Sequence, residues 1–255
     1  MSKVATNMKS VYELFIEETE NSAPDVDMLE SLIGRLQQED IYKITELNLS
    51  YNKLDKLPNN IGNLTNLQEF NCSYNKVSNL PNSISNLTNL QKFDCSFNEI
   101  NKIPDTIGSL TNLQYFECFD NEISEIPDNI GNLANLQTFY CSKNKINKIP
   151  DTIGNLTNLQ NFYCSYNKLS NLPDSIGNLT NLLYLSCHNN KISNLPDSIG
   201  NLTNLQYFNC DNNQISILPD SIGNLTNLQY FYCSDNKISE IPKWLINMNI
   251  PDMRT

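Results

Sequence analysis

Basic residues are scarce in this chain of 255 residues. Only 17 lysines and arginines stand against 28 aspartates and glutamates, which gives a formal net charge of −11. Binding to nucleic acids and to anionic membrane surfaces depends on Lys and Arg that neutralise phosphates. The composition therefore argues against both classes of partner, and a neutral or basic protein partner is easier to accommodate.

Long apolar segments are also absent. No stretch approaches the roughly 20 apolar residues that span a bilayer, and residues 1–10 lack the charged and then apolar order of a secretory signal. The sequence therefore predicts a soluble cytoplasmic protein with no membrane contact.

Histidine occurs once, as His188. The repeat pattern described below puts it at the edge of a strand, where we expect it to be exposed and without a nearby nucleophile. A histidine in that setting is a poor catalytic candidate, and we expect no enzymatic activity.

The eight cysteines are an even number, which in a small secreted protein would suggest disulfide bonds. Each one lies 23 residues after the last, at Cys72, Cys95, Cys118, Cys141, Cys164, Cys187, Cys210 and Cys233. One thiol at a fixed place in each repeat predicts a packing role, because a buried free cysteine behaves as a small hydrophobic residue. Metal ligands would have to converge from several directions, which stacked strands do not allow. We expect eight buried, reduced cysteines and no metal or cofactor.

Aligning the chain on the cysteines reveals nine consecutive 23-residue units that fill residues 44–250 without insertion or deletion. Their consensus is LQxFxCSxNxISxLPDSIGNLTN. The units start at Ile44, Leu67, Leu90, Leu113, Leu136, Leu159, Leu182, Leu205 and Leu228. No single unit can cover its own apolar side, so the pattern predicts a continuous core made by stacking neighbours.

Each position of the unit carries a structural expectation. Apolar residues at positions 4 and 6 point to the same face, as in a short strand. Asparagine at position 9 can satisfy buried turn backbone, which predicts an asparagine ladder along the stack. Proline at position 15 suits the start of a short helical segment on the outer side, with positions 18 and 21 pointing inward. We expect glycine at position 19 to keep that turn tight.

The ends of the chain depart from the repeat. Residues 1–43 look helical and predict an N-terminal cap: Ser10 and Glu13 have capping-box spacing, and a second amphipathic stretch follows Pro24. At the other end, the sequence 243–246 replaces the usual DSIG with KWLI, and 251–255 is expected to be a tail. The bulk of Trp244 either closes the core of a monomer or leaves an apolar end that forms a weak homodimer.

The phrase LPxxIGNLTNL, together with L-x-x-F-x-C-x-x-N-x-I, resembles the 23-residue class of leucine-rich repeats found in Ras-group-related intracellular proteins and their bacterial and viral relatives. The resemblance implies an α/β fold: a right-handed horseshoe with a parallel sheet on the concave side and short helical or turn segments outside. It also implies a recognition scaffold, and it brings no catalytic residues. Cysteine replaces the usual leucine at position 6 in every unit but the first, which has Leu49.

Positions 3, 5, 7 and 8 are expected to face the concave side, where the fold does not determine the residue type. Units one to three have charged or amide residues at positions 3 and 5, whereas later units are rich in tyrosine. We predict that a protein partner docks on units four to nine. The predicted contact residues are Tyr115, Phe119, Tyr140, Tyr163, Tyr184, His188, Tyr207, Tyr230 and Tyr232.

Two other interpretations remain open at the level of sequence. The aspartates that follow the prolines, such as Asp151 and Asp174, could attract a cation or a basic partner, although Asp is favoured at the first turn of a helical segment in any case. The segment 24–42 faintly resembles an F-box, and the chain would then be a substrate-recognition adaptor of a ubiquitin ligase. That segment is short, and it lacks a third helix before the first repeat.

Overall fold

The computed structural model describes residues 25–255, so the predicted capping box at Ser10 and Glu13 lies outside the described residues. The described part begins with helix α1 (Val26–Arg35) and a short helix α2 (Gln38–Ile41). Asp25 caps α1, because its carboxylate accepts a 2.8 Å hydrogen bond from the Met28 N–H. Val26, Leu29, Leu32 and Ile33 are buried on one side of α1, next to the first repeat.

One parallel sheet runs through the rest of the chain, with its ten strands in sequence order. Neighbouring strands pair in the repeat register, so that Phe116 lies opposite Phe139 and Tyr140 opposite Tyr163. The strands are β1 (Glu46–Asn48), β2 (Glu69–Asn71), β3 (Lys92–Asp94), β4 (Tyr115–Glu117), β5 (Thr138–Tyr140), β6 (Asn161–Tyr163), β7 (Tyr184–Ser186), β8 (Tyr207–Asn209), β9 (Tyr230–Tyr232) and β10 (Asp252–Arg254).

The tenth strand corrects the prediction that 251–255 is a tail. β10 adds to β9 in parallel: the Cys233 N–H donates to the Arg254 carbonyl at 2.8 Å, and the Asp252 N–H donates to the Gln229 carbonyl at 3.1 Å. The edge of β9 would otherwise leave backbone groups unpaired. The free edge of β9 explains why residues 252–254 form a strand, since these residues carry no repeat signature of their own.

Short 3₁₀ helices return the chain on the outer side, each directly after the position-15 proline. Their ranges are Asn59–Asn63, Asn82–Asn86, Asp105–Ser109, Asp128–Asn132, Asp151–Asn155, Asp174–Asn178, Asp197–Asn201 and Asp220–Asn224. The ninth unit has an α-helix instead, α3 (Lys243–Asn247), and its Trp244 indole N–H donates to the Asp220 carboxylate at 2.7 Å. This architecture confirms the predicted solenoid, with strands on one side and helical turns on the other.

Between the sheet and the outer turns lies a core in which each layer repeats the last. The position-4 phenylalanines of units two to six stack with centroid distances of 5.4–5.7 Å and interplanar angles of 5–10°. Leu185 interrupts this column in unit seven. The eight cysteines are free and buried beside it, as predicted from their spacing.

The predicted asparagine ladder is present. In unit five, the Asn144 amide donates to the carbonyls of Cys118, Cys141 and Ser142 at 2.9–3.2 Å, and its oxygen accepts from the Ile123 N–H at 2.9 Å. One side chain therefore satisfies four backbone groups across two units.

A second ladder that we did not predict runs along position 23. Here each asparagine amide donates to the position-22 carbonyl of the preceding unit, as Asn158 does to Ala134 at 2.8 Å. The other members between units are Asn89, Asn112, Asn135, Asn181, Asn204 and Asn227. The two ladders hold the layers together on both sides of the core.

The expected reason for glycine at position 19 is wrong. Every described glycine has a negative φ, so none of them is needed for a tight turn. A Cβ on Gly154 would instead lie 2.6 Å from the Ser175 carbonyl oxygen and 2.8 Å from the Ser175 Cβ of the next unit. Glycine is favoured at most of these positions because adjacent outer turns approach one another closely, although unit two has Ser85 there.

Candidate binding surface on the concave sheet

The concave face, which we define as the sheet surface formed by positions 3, 5, 7 and 8 of the units, carries the predicted contact residues. Along a strand the side chains alternate: in β6, Phe162 is fully buried, while its neighbour Tyr163 is half-buried on the concave face. Tyr184 and Tyr230 are more exposed, at 38% and 41%.

The structure brings most of the predicted rings into contact. Tyr184 lies 6.1 Å from Tyr207, which in turn lies 6.0 Å from Tyr230 and 5.6 Å from Tyr232 between ring centroids. In the middle of the sheet Tyr140 stacks on Tyr163 at 4.6 Å. These rings form extended aromatic surfaces of the kind that supply binding hot spots.

Phe119 and Tyr115 have different surroundings. Phe119 makes an edge contact with Tyr140 at 5.4 Å and so joins the ring surface. Tyr115 lies between Lys92 and Thr138 in the sheet register, and it lines an acidic depression rather than the ring surface.

Four rings at position 8 were missed in the sequence, those of Tyr51, Tyr74, Phe97 and Tyr166. Tyr51 and Tyr74 stack at 4.2 Å, Tyr74 and Phe97 stack at 4.1 Å, and Phe97 makes an edge contact with Phe119 at 5.1 Å. Aromatic residues therefore extend into units one to three, which looked merely polar when only positions 3 and 5 were compared. Comparing position 8 along the units would have revealed this stack.

Position 8 has an unusual backbone. All nine of its residues have φ between 51° and 61°, although none is glycine. Asn and Asp tolerate this left-handed conformation best, and Asn189 and Asn212 occupy it in units seven and eight. Tyr51, Tyr74 and Phe97 are bulky residues at places where the backbone favours a small polar one.

Positions 5 and 7 are more constrained by the fold than we expected. The Ser73 N–H donates to the Asn71 side chain at 2.9 Å, and the Ser165 N–H donates to the Ser142 hydroxyl at 3.0 Å. Ser73, Ser142 and Ser165 are themselves buried. Polar residues at these positions thus satisfy backbone groups of the sheet, and they are weaker evidence for a binding function than the rings are.

His188 is half-buried, contrary to the expectation of an exposed residue without nucleophiles nearby. Its Nδ1 lies 2.9 Å from the Ser165 Oγ and 2.8 Å from the Ser186 Oγ, and its ring makes an edge contact with Tyr166 at 5.1 Å. The 23-residue register could have indicated Ser165, since it is the position-7 neighbour of His188. Burial lowers the pKa of His188, and the Asp211 carboxylate partly opposes that shift.

This cluster is not arranged for catalysis. Ser165 and Ser186 are 3% and 4% exposed and lie 2.9 Å apart, so their hydroxyls are occupied with each other and with the imidazole. A nucleophile needs access to its substrate. The cluster therefore fixes the orientation of the His188 ring on the concave face.

An acidic depression of about 330 Å³ lies over the first four strands. Its carboxylates are Glu46, Glu69, Asp94 and Glu117, and its one cation, Lys92, is paired with Glu69 at 2.5 Å. Burial, reinforced by the Asp94 charge, raises the pKa of Glu117. This end of the concave face is thus negative, and a cationic group from a partner would relieve the repulsion.

Among residues 25–255, no group of three or more His, Cys, Asp or Glu side chains could hold a metal ion. Burial raises the pKa of every cysteine thiol, to about 12 for Cys187 and Cys233, so the thiols stay protonated. In the same part of the chain no helix is long and apolar enough to cross a bilayer.

Comparison with known proteins agrees with this architecture. The family model described as "Leucine-rich repeat region" matches residues 29–122, 94–190 and 174–250. No curated protein matches the sequence significantly.

Three of the many solved structures with similar folds illustrate the resemblance. A leucine-rich-repeat protein of Leptospira interrogans is 29% identical with a TM-score of 0.78, and the alignment covers 89% of this chain and 62% of that one. The plant peptide hormone receptor RGFR1 in complex with RGF2 is 34% identical, with a TM-score of 0.78 and coverage of 83% and 36%. An internalin of Listeria monocytogenes is 28% identical, with a TM-score of 0.76 and coverage of 90% and 70%. The chain therefore spans less than two thirds of the first two proteins.

Proposed function

Because this chain belongs to the leucine-rich-repeat family, we propose that it is a non-enzymatic scaffold that binds a partner protein through its concave face. The observation that carries the proposal is the set of contacting rings on the exposed side of the sheet. The buried side already uses its own phenylalanines for the core, so the concave rings are not needed to hold the layers together. Large aromatic side chains with a polar tip are the typical anchors of protein interfaces.

The relatives support this use of the fold. RGFR1 was solved in complex with RGF2, and the ectodomain of a plant membrane receptor kinase was solved in complex with CASPARIAN STRIP INTEGRITY FACTOR 2. The second structure is 30% identical, and the alignment covers 81% of this chain and 26% of that one. For this chain we propose a neutral or basic partner, because the net charge of −11 and the acidic depression repel polyanions.

We further propose that the chain works as a monomer in a reducing compartment such as the cytoplasm. Eight free, buried cysteines are typical of proteins that fold where thiols stay reduced. The hydrogen bond from Trp244 to Asp220 holds the C-terminal turn against the last repeat and supports a capped end. The adaptor interpretation gains no support from α1, since its apolar side is buried in the core.

The test compares a double variant on the concave face with a matched control. We expect Tyr163→Ala/Tyr184→Ala to weaken binding of partners captured from cell extract by about 2 kcal/mol, with the melting temperature lowered by only a few degrees. The control is Tyr42→Ala/Ile217→Ala, which removes two exposed side chains outside the concave face and should bind normally. Dissociation constants from titration calorimetry give the answer. Equal binding by wild type and both variants would refute the concave site, and the outer aspartates would be tested next.

A further inference from the structure

The contacting rings follow a definite course across the concave face. We define the ring path as one aromatic residue from each of the nine units. It consists of Tyr51, Tyr74, Phe97, Phe119, Tyr140, Tyr163, Tyr184, Tyr207 and Tyr230. Its members occupy position 8 in units one to three, position 7 in unit four, position 5 in units five and six and position 3 in units seven to nine. The path therefore crosses the sheet diagonally, from one end of the strands to the other.

Contacts link the ring path along most of its length. Centroid distances between successive members are 4.1–5.4 Å from Tyr51 to Tyr163, and 6.0–6.1 Å from Tyr184 to Tyr230. The two sections follow one another on the adjacent strands β6 and β7, which carry Tyr163 and Tyr184. The path thus consists of two contacting sections rather than scattered rings.

The backbone conformation at position 8 does not explain why the first three members of the ring path are aromatic. Position 8 requires a positive φ, which suits the Asn189 and Asn212 that occupy it in units seven and eight. Yet Tyr51, Tyr74 and Phe97 follow one another there at a conformational cost. Duplication of one unit also gives no reason for the ring to move from position 8 to position 3 along the chain.

The flanks of the ring path indicate the charge of its occupant. The acidic depression is lined by positions 3 to 5 of the units that supply the first half of the path, and units eight and nine carry Asp211 and Asp235 at positions 7 and 8. One ring of the path already accepts a cation of the chain itself, since Lys143 lies 5.0 Å from the Phe119 centroid; beside the path, Arg254 lies 4.6 Å from the centroid of Tyr232, which contacts Tyr207. Both the flanks and the rings are thus suited to lysine and arginine side chains.

We propose that the ring path binds one extended peptide segment of a partner, rich in lysine or arginine, which crosses the sheet diagonally from unit one to unit nine. Nine strands about 4.8 Å apart span about 38 Å across the sheet, and the shift of five positions along the strands adds about 17 Å in that direction, so the diagonal is about 42 Å, the length of roughly 12 extended residues. A strip one or two rings wide fits a single extended chain better than the broad surface of a folded domain, and Tyr232, 5.6 Å from Tyr207, widens only its last section. This inference rests on the proposed function, since it names the partner chemistry of the same face.

The probe for the test is a linear peptide selected from a random 12-residue library against the full chain. We expect the selected peptides to be enriched in lysine or arginine. The key variant is Tyr51→Asn/Tyr74→Asn, which removes two rings while installing a residue that position 8 favours. It should keep its melting temperature and bind a selected peptide about ten-fold more weakly. The matched control is Tyr166→Asn, the same substitution at the same position of unit six, off the ring path, and it should bind as wild type.

The remaining outcomes separate the two proposals. If Tyr163→Ala/Tyr184→Ala weakens peptide binding but Tyr51→Asn/Tyr74→Asn does not, the diagonal path is wrong and the concave binding site stands. If neither double variant changes peptide binding, or if Tyr166→Asn weakens it as much, the ring path is not the peptide site. If the selected peptides lack basic residues, the prediction that the bound segment is positively charged is wrong. If no peptide is selected but the concave face still captures proteins from extract, the proposal of an extended peptide segment is wrong and the proposed function stands.

Discussion

The two faces of the same sheet use aromatic rings in different ways. On the buried face, phenylalanine recurs at position 4 in seven of the nine units, and its stacking geometry hardly varies. On the concave face, rings occupy positions 8, 7, 5 and 3 in turn. Both faces are built from the same 23-residue unit. Close packing with each neighbour favours a large apolar residue at every layer of the core, phenylalanine or leucine at position 4, whereas the concave face can vary without disturbing the stack.

The largest expected effect is the difference in stability between alanine variants of two adjacent residues of β6, one on each face. Phe162→Ala should lower the free energy of unfolding by about 3–5 kcal/mol, because it empties a fully buried position in the phenylalanine column. Tyr163→Ala should cost about 1 kcal/mol, because it removes a half-buried ring and one stacking contact. Urea denaturation of both variants measures the difference.

A graded control is available within the chain. Leu185 occupies the phenylalanine position in unit seven, so Phe162→Leu should cost less than Phe162→Ala. If Phe162→Ala and Tyr163→Ala destabilised the protein equally, the two faces would not differ in the way we describe.

A smaller effect is expected where the outer turns touch. Gly154→Ala should destabilise the protein by about 1–3 kcal/mol, since its Cβ would lie 2.6 Å from the Ser175 carbonyl oxygen. Gly223→Ala is the matched control, because its nearest neighbour in the following turn, the Trp244 Cε3, lies 3.9 Å away. We expect the control to be neutral or slightly stabilising, as both glycines have negative φ. Equal melting temperatures for the two variants would refute close approach as the reason for glycine.

The buried face could be predicted from the sequence more fully than the concave one. Phenylalanine, cysteine and asparagine recur at fixed positions, and each recurrence follows from one physical demand repeated in every layer, so the core and the position-9 ladder were foreseen. The ring path was only partly foreseen, because its members occupy different positions of the 23-residue unit and no single aligned position contains them all. Strand β10 could not be foreseen, since Asp252 and Arg254 pair with an edge that exists only in the folded stack.

The smallest effect is expected for His188, in the pH dependence of the free energy of unfolding. His188 lies on the concave face, yet its surroundings constrain it like a buried residue. Burial holds its pKa below the value of about 6.5 expected in the unfolded chain. Above that pH the imidazole is neutral in both states and contributes nothing to the pH dependence. As the pH falls below it, the unfolded chain takes up the proton more readily, so the free energy of unfolding decreases until the folded protein is protonated too.

The His188→Gln variant lacks the titrating group but keeps a side chain that can accept a hydrogen bond from Ser186. Urea denaturation at intervals from pH 7.5 to 5.5 should therefore show a decline for wild type that is shallower in the variant. The raised pKa values of Glu117 and Asp211 act in the opposite direction, because the folded protein holds those protons more tightly. Both proteins share Glu117, whereas the His188 charge also lowers the pKa of Asp211, so the difference between the two curves reports the imidazole together with its coupling to Asp211. Parallel curves would mean that His188 titrates as an exposed residue. The fold would then constrain the His188 side chain less than its hydrogen bonds with Ser165 and Ser186 imply.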